Sequence, residues 1–263
     1  MIIIKIGGGR DINLAGIAAG ISELEGPVII VHGANALRNE LAEKLGSQIK
    51  TVTSASGYSS VFSDEQVIDL QMMAYAGLRN KRLVELLQQN GVNAVGLTGI
   101  DGAVIRGKRN AGIRVRENGK MKLLRDFSGK PKSINKELLD LLIKNNFVPV
   151  LTVPIIDENN TAINSENDDI TALLNKTFSV QRVIHFIEAD GLLEDSTDPD
   201  SAVAELSKTR LAQWEDRAEG RIKRKLHAIK KLFDDGAELV NICDGRTENP
   251  IADALNGKGT IIR

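Results

Sequence analysis

Short apolar runs alternate along the chain with longer segments in which apolar residues recur at helical spacing. Apolar runs of this length that end at glycine or proline are typical of buried parallel strands. The predicted strands are residues 2–6, 28–31, 92–97, 148–153, 183–187 and 239–242. The predicted helices are residues 14–24, 36–45, 64–89, 135–145, 168–176 and 220–234, with Asp64 as the N-cap of the third. This alternation predicts an α/β fold, a three-layer αβα sandwich with a mainly parallel central sheet.

Two segments interrupt the alternation. Residues 103–124 alternate as strands do, and Asn118-Gly119 within them is typical of a hairpin turn. Residues 157–164 form a polar stretch after the fourth predicted strand. We therefore expect a hairpin in the first half of the chain and two lobes, residues 1–157 and 158–263.

The composition narrows the classes of function. The 263 residues carry a net charge of −1, which gives no overall attraction to nucleic acid or membrane. The single Cys243 excludes an internal disulfide, and the three histidines lack the spacing of zinc ligands. No apolar run is long enough to span a bilayer, and the chain starts with a strand rather than a signal peptide. We expect a cytoplasmic protein that binds neither nucleic acid nor membrane.

The first predicted strand carries a candidate phosphate site. Lys5 interrupts its apolar residues, and Gly7 and Gly8 follow at once. A lysine in a buried strand is costly unless an anion meets it, and an amine beside bare backbone N–H groups binds phosphate. The alternative is a lysine that extends from an edge strand to solvent. A second glycine turn at Gly33, after the next strand, favours the phosphate site.

Two other motifs suggest sites that do not withstand comparison with their templates. Residues 102–108 have the spacing of a P-loop, but Arg109 stands where Ser or Thr is needed and the interior reads as a strand. No dinucleotide-binding glycine pattern follows a strand either. The basic residues of 221–225 spread over several faces of a helix, and aromatic residues are scarce. They favour a solvated helix with one functional lysine over a nucleic-acid surface.

Four motifs follow one another along the chain: Lys5-Ile6-Gly7-Gly8, His32-Gly33-Ala34-Asn35, Asn164-Ser165-Glu166-Asn167-Asp168, and Gly220-Arg221-Ile222-Lys223-Arg224-Lys225. Together they resemble the amino acid kinase family, in its acetylglutamate kinase branch, and the resemblance covers essentially the whole chain. Residues 75–87, 96–102 and 244–250 are similar, more specifically, to the kinases of that branch that act on aminoadipate or glutamate attached to a carrier protein.

The resemblance implies the amino acid kinase fold and transfer of a phosphoryl group from ATP to a side-chain carboxylate, in lysine or arginine synthesis. Such a carboxylate, with a pKa of about 4, is already ionised, so positioning and charge neutralisation dominate and no general base is needed. By resemblance, Lys5 and Lys225 hold the transferring group and the ATP phosphates. Asp168 orients both lysines, and the N–H groups of Gly8 and Gly33 face the moving oxygens.

The resemblance also implies how the substrates bind. The acceptor amino acid lies near Gly33, Ala34, Val61 and Asn164, and Asp190-Gly191 forms a loop on the nucleotide side. Mg²⁺ arrives with ATP and is coordinated mainly by its phosphates. Residues 1–157 bind the acceptor and its carrier and form a homodimer, and residues 158–263 bind ATP.

Each of these residues also has a purely structural explanation. Asp168 is suited to cap the helix that follows, and Gly33 to serve a strand-to-helix turn. Asn164 and Asp190-Gly191 suit ordinary turns, and Lys225 alone is unremarkable on a basic helix. Because the four motifs occur together and in order, we favour the functional interpretation.

The chain departs from the family pattern at two positions. Ala34 stands where the branch has glycine, which keeps a backbone donor but adds a methyl group that narrows the approach. Val61 stands where the branch has an arginine that grips the α-carboxylate of the acceptor, and valine cannot replace a bidentate guanidinium. Either another cation such as Arg79 or Arg10 takes this role, or the acceptor is neither aminoadipate nor glutamate.

The hairpin segment is strongly basic. Residues 106–125 contain eight Lys or Arg and one acidic residue, Glu117. Charge on an exposed strand edge can simply prevent edge pairing, but charge of one sign favours steering of an acidic partner. A small acidic amino-group carrier protein fits that description. The alternatives are an acetylglutamate kinase of arginine synthesis and a nucleotide-sensing regulatory homologue that has lost its acceptor grip.

Overall fold

The structure, a computed structural model, describes residues 1–54, 59–117, 120–195, 198, 201–217 and 220–263, with the backbone alone at Glu117, Arg217 and residues 220–225. The described strands are β1 (Ile2–Ile6), β2 (Val28–His32), β3 (Thr51–Thr53), β4 (Ser59–Val61), β5 (Ala94–Thr98), β6 (Ile105–Arg109), β7 (Ile113–Glu117), β8 (Lys120–Leu124), β9 (Gly129–Ile134), β10 (Val148–Thr152), β11 (Ile155–Ile156), β12 (Ala162–Ile163), β13 (Arg182–Ile187), β14 (Glu205–Leu206), β15 (Leu239–Asp244) and β16 (Thr260–Ile262). The described α-helices are α1 (Leu14–Ser22), α2 (Asn35–Lys44), α3 (Glu65–Gln71), α4 (Asn80–Gln89), α5 (Lys136–Lys144), α6 (Asn167–Phe178), α7 (Lys208–Arg217), α8 (Gly220–Asp234) and α9 (Pro250–Leu255).

The central sheet has eight strands in the order β14-β16-β15-β13-β1-β2-β10-β5. All neighbours in it run parallel except β15 and β16. The strands of residues 158–263 lie on one side of β1 and those of residues 1–157 on the other. The predicted, mainly parallel sheet is confirmed. The division into two lobes stays a prediction, because one sheet runs through both halves.

Helices cover both faces of this sheet. Alternate residues of a strand point to opposite faces, and Ile3 packs in one core with buried residues of α5, α6 and α8. Ile4 packs in the other core with buried residues of α1, α4 and α9. The predicted three-layer sandwich is therefore confirmed. By the same alternation, Lys5 shares the face of Ile3, which α6 covers.

The longest predicted helix, 64–89, is continuous but not uniform. Asp64 caps it as predicted, since its carboxylate accepts the N–H of Val67 at 3.0 Å. A π-helical segment, Met72–Arg79, joins α3 to α4. Several described elements were not predicted. Among them, α7 has few apolar positions, α9 has six residues, and β14 and β16 are two and three residues long. The others are β3, β4, β9, β11 and β12.

The two interruptions in the pattern form smaller structures. β7 and β8 pair as an antiparallel hairpin with Glu117 opposite Lys120, as predicted, and the turn at Asn118-Gly119 lies outside the described residues. In the polar stretch, the Asp157 carboxylate accepts the N–H groups of Asn159 and Thr161 and orders the turn between β11 and β12. None of the helices in the described residues has the length and hydrophobicity needed to cross a membrane.

Candidate active site

The carboxyl ends of β1 and β2 carry two glycine turns side by side. Ile6 lies opposite His32 in the parallel register, so the turns at Gly7 and Gly33 leave the sheet together. The N–H of Gly33 donates to the carbonyl of Ile6 at 2.9 Å and so continues the strand ladder. The sequence analysis expected this N–H to face the moving oxygens, and in the structure it is already used. Gly33 instead allows close approach, since a Cβ there would lie 2.9 Å from the nitrogen of Gly8.

The turn after β1 leaves the N–H of Gly8 open, while that of Gly7 donates to the carbonyl of Phe186 at 2.9 Å. The N–H of Gly8 meets no protein acceptor among the described residues, while the Gly8 carbonyl accepts the N–H of Ala36 at 2.9 Å. A Cβ on Gly8 would lie 2.6 Å from the nitrogen of Asn35 and 2.7 Å from that of Ala34, at the start of α2. Gly8 and the N-terminus of this ten-residue helix therefore form one cradle for an anion. The methyl group of Ala34 packs into the core rather than narrowing the cradle, contrary to expectation.

Lys5 and Asp168 form an ion pair beside this cradle. Lys5 is 8 % exposed, and its Nζ lies 2.7 Å from Asp168 Oδ1. Asp168 belongs to the first turn of α6, but the N-cap position is Glu166, so Asp168 is not the capping residue. A lysine in a central strand is thus paired with a carboxylate that α6 delivers to the same face. The pair places an ammonium group at the strand end without an unpaired buried charge.

The side chain of Lys225 lies outside the described residues, so its predicted convergence with Lys5 stays a prediction. The backbone of α8 is described, and this helix packs on α6. His227 and Ala228, which follow Lys225 by two and three positions in α8, line a cavity together with Asp168. The chain therefore brings α8 to the cavity in which Asp168 lies.

Two neighbouring cavities share Asp168 in their walls. The first, of about 370 Å³, is lined by both glycine turns, Lys5, Val61, Asn164 and Asp168. The second, of about 750 Å³, shares Val61, Asn164 and Asp168 and extends to the base of the hairpin at Gly112, Ile113 and Arg114. The structure therefore brings together Lys5, Gly8, Gly33, Asn164 and Asp168, which lie up to 163 positions apart in the chain, but not Ala34, which lines neither cavity.

The first cavity also contains polar residues that sequence reasoning missed. Arg38 and Gln71 are 7 % and 1 % exposed, and both line it together with Tyr75. Burial raises the pKa of Tyr75, and the charge of Arg38 partly opposes this. Gln71 Oε1, Ser165 Oγ and Asn167 Oδ1 are buried without a hydrogen-bond partner among the described residues. Their spacing gave no signal, because a polar residue in a helix normally faces solvent.

Asp190 and Gly191 lie at the carboxyl end of β13, on the same sheet edge as the glycine turns. Asp190 accepts a hydrogen bond from Arg246, which also pairs with Asp244 at the end of β15. Burial would raise the pKa of Asp244, but hydrogen bonds from Arg246 outweigh this and lower it. Gly191 has φ +150°, which favours glycine. Neither residue is among the described lining of the two cavities, so a role in nucleotide binding stays a prediction.

His32 is a structural residue. It is fully buried, and burial lowers its pKa to about 3, so the ring is neutral. Its Nε2 lies 3.1 Å from Nδ2 of Asn80, which also donates to the carbonyl of Val150. This ring therefore holds β2 against α4 and β10 and does not take up a second proton in the neutral range.

The chain is similar to known proteins over its full length. The sequence profile described as the amino acid kinase family matches residues 1–244. A LysW-aminoadipate kinase from Thermus thermophilus is 39 % identical over the full length of both chains. A protein of the same name from Deinococcus radiodurans is 36 % identical over all of this chain and 91 % of the relative. The structure of N-acetylglutamate synthase from Neisseria gonorrhoeae aligns with a TM-score of 0.79 at 18 % identity, over 99 % of this chain and 58 % of that one, and so shows a shared fold.

Proposed function

The chain belongs to the amino acid kinase family and is a phosphotransferase, and we propose that it phosphorylates a side-chain carboxylate of an amino acid bound through its amino group to a small acidic carrier protein. The observation that carries this proposal is the ion pair of Lys5 and Asp168 at the glycine cradle, in one cavity with Asn164. Aminoadipate, of lysine synthesis, is the first candidate for the acceptor, because both relatives described above are named for it. Glutamate, of arginine synthesis, is the second.

The geometry suits an in-line transfer between two ionised groups. The acceptor carboxylate needs no base, so the protein has to bring two anions together and neutralise the charge of a loose transition state. Lys5 supplies a cation at the strand end, and the N–H groups of Gly8 and the start of α2 are proposed to donate to the transferring oxygens. Asp168 fixes Lys5, and Lys225 is proposed to complete the site from α8.

The cradle also fits the phosphates of ATP. Because Gly8 has no side chain, the start of α2 lies against the turn after β1, and the backbone donors of both are close enough together to bind one phosphate group. Among the described residues no group of three or more His, Cys, Asp or Glu side chains converges as a metal site. We propose that Mg²⁺ enters with ATP, where it neutralises phosphate charge, and that Asp190-Gly191 contacts the nucleotide.

The proposal is tested by determining which acceptor the protein phosphorylates. ADP release should be measured with carrier-linked aminoadipate, carrier-linked glutamate and free acetylglutamate. We expect turnover with a carrier-linked acceptor and little with the free acid. Turnover with acetylglutamate alone would refute the proposal that the acceptor is attached to a carrier protein. ATP binding without turnover of any acceptor would favour a nucleotide-sensing protein.

The hairpin supports an acidic carrier as partner. Cross-strand pairing places Arg114, Arg116, Met121 and Leu123 on one face of β7 and β8, and all four are exposed. Arg114 also lines the second cavity, which leads from the hairpin base to Asp168. A carrier that docks on this basic and apolar face could pass its linked amino acid through that cavity.

Reversing the charge of Arg114 and Arg116 to Glu should therefore raise KM for the carrier-linked acceptor about 10-fold at low salt and leave KM for ATP unchanged. Steady-state kinetics at two ionic strengths measures this, because salt weakens attraction between exposed charges. Lys44→Glu combined with Lys144→Glu, at exposed lysines in the last turns of α2 and α5, changes the net charge by the same amount and is the control. An unchanged KM for the carrier in the double variant would exclude the hairpin as its docking surface.

We also propose that the chain forms a homodimer through the π-helical segment. Met72, Met73 and Leu78 are exposed there at 37 %, 46 % and 50 %, an apolar group that a second copy would cover. Light scattering should give the mass of a dimer, and Met73→Glu combined with Leu78→Lys should give a monomer. A wild-type monomer at all concentrations would contradict the proposal.

A further inference from the structure

The α-carboxylate of the proposed acceptor requires a cation that position 61 does not supply. Val61 is half-buried at the point where the two cavities meet, and its side chain is apolar. A carboxylate moved from water into a cavity without a charged partner is strongly destabilised. A different residue must therefore compensate this charge if the proposed reaction takes place.

Neither arginine suggested by the sequence is placed to do so. Arg10 is exposed and pairs with Glu40 at the surface. The Nε and Nη2 atoms of Arg79 are buried without an acceptor among the described residues, and burial lowers the pKa of its guanidinium. Neither Arg10 nor Arg79 is among the described residues that line the first cavity.

Arg38 lies in the wall of that cavity. Its side chain is almost fully buried, and Nε and Nη2 both donate to Oδ1 of Asn39, at 3.2 and 2.8 Å. This acceptor is the neutral amide of the next residue. Within the described part of the chain no carboxylate lies within ion-pair distance of Arg38. A buried guanidinium with a neutral partner is costly unless an anion from elsewhere completes its environment.

Two further side chains indicate that a polar ligand enters at this place. Gln71 and Ser165 are 1 % and 9 % exposed and line the same cavity. Gln71 Oε1 and Ser165 Oγ are buried without a partner among the described residues. Buried polar atoms in folded proteins are normally hydrogen-bonded, so unpaired ones around a cavity mark a place for ligand atoms.

We infer that Arg38 binds the α-carboxylate of the acceptor and takes the place of an arginine at position 61. This inference rests on the proposed function and deepens it. Arg38 belongs to α2, the helix whose N-terminus forms the phosphoryl cradle. Arg38 lies four positions after Ala34, the N-cap residue of α2, which is about 6 Å along the helix axis. One rigid element thus sets the distance between Arg38, which binds the α-carboxylate, and the cradle, where the side-chain carboxylate is phosphorylated. This distance selects acceptors by chain length.

The test combines a change in the enzyme with a change in the ligand. Wild type, Arg38→Leu and Arg38→Lys are compared with a carrier-linked acceptor whose α-carboxylate is free and with one in which it is a primary amide. With the carrier-linked acceptor whose α-carboxylate is free, Arg38→Leu should lower kcat/KM about 30-fold. The loss should come from a higher KM for that acceptor, with KM for ATP unchanged. Arg38→Lys keeps the charge without the planar fork and should lie between. Wild type should discriminate against the amide, and Arg38→Leu should not.

Arg38→Leu combined with Val61→Arg moves the guanidinium back across the cavity and should recover part of the lost kcat/KM. Arg82→Leu, on the exposed face of α4, is the control for loss of an arginine. If Arg38→Leu does not fold, wild type and Arg38→Lys still decide, because equal turnover of acid and amide by wild type overturns the inference. Absence of turnover by wild type with every acceptor refutes the proposed function itself. Normal turnover with an unchanged KM in Arg38→Leu refutes only the role of Arg38.

Discussion

Replacing Lys5 with methionine is expected to lower kcat about 10³-fold, with a small change in KM for ATP. Lys5 places its ammonium group at the glycine cradle. A cationic side chain that contacts the transferring phosphoryl group raises turnover about 10³–10⁵-fold in other phosphotransferases. The charge on that group spreads over its oxygens in the transition state, so the loss falls on kcat rather than on ground-state binding. Single-turnover measurement of acyl phosphate formation would show this directly.

Stability has to be separated from catalysis in this experiment. Lys5→Met removes the ammonium group 2.7 Å from the largely buried Asp168 carboxylate, and breaking such a buried ion pair costs about 3 kcal/mol of unfolding free energy. Adding Asp168→Asn removes the carboxylate charge as well, so Lys5→Met with Asp168→Asn should unfold near the wild-type temperature and remain inactive. Lys136→Met breaks a lysine–aspartate pair of the same 2.7 Å length on the surface and should change neither activity nor stability much. Turnover within 10-fold of wild type in a folded Lys5 variant would remove Lys5 from the mechanism.

The sequence predicted the parts of the site that local rules determine. Glycines after apolar strands, and a lysine within one, indicated the cradle and its cation, and parallel strands bring such turns to one sheet edge. The mainly parallel central sheet, through six of its eight strands, and both covering layers followed from the alternation of the pattern. The four motifs in their order indicated the amino acid kinase family, and the comparisons confirm this family.

The rest depends on packing across long sequence separations. Whether the N–H of Gly33 is free depends on how far the ladder between β1 and β2 extends, and it extends one residue further than expected. The methyl group of Ala34 points into the core, which no local pattern indicates. Arg38 was missed because an arginine in a polar helix is expected at the surface, whereas this one is buried under tertiary contacts.

Gly8→Ala is expected to lower kcat roughly 10²–10³-fold without unfolding the protein. An added methyl group would meet Oδ1 of Asn35 and lie within 2.7 Å of two backbone nitrogens, so the turns after β1 and β2 must separate. The separation displaces the donors of the cradle from the transferring oxygens, and a misplacement of about 1 Å can cost about 10²-fold in rate. Measurement of kcat together with thermal unfolding checks both parts of this expectation.

The matched control is Gly77→Ala. Gly77 is exposed in the π-helical segment, and a Cβ there would meet only the carbonyl of Met72 at 3.4 Å, an ordinary contact. This variant adds the same methyl group away from the cradle, so its kcat should stay within a factor of two of wild type. Asn35→Ala in the Gly8→Ala background removes the side chain nearest the new methyl group but leaves both backbone nitrogens in place. If the backbone donors form the cradle, the double variant should remain impaired, whereas full recovery would show that the collision with Asn35 alone, and not the displaced N–H groups, stopped the transfer.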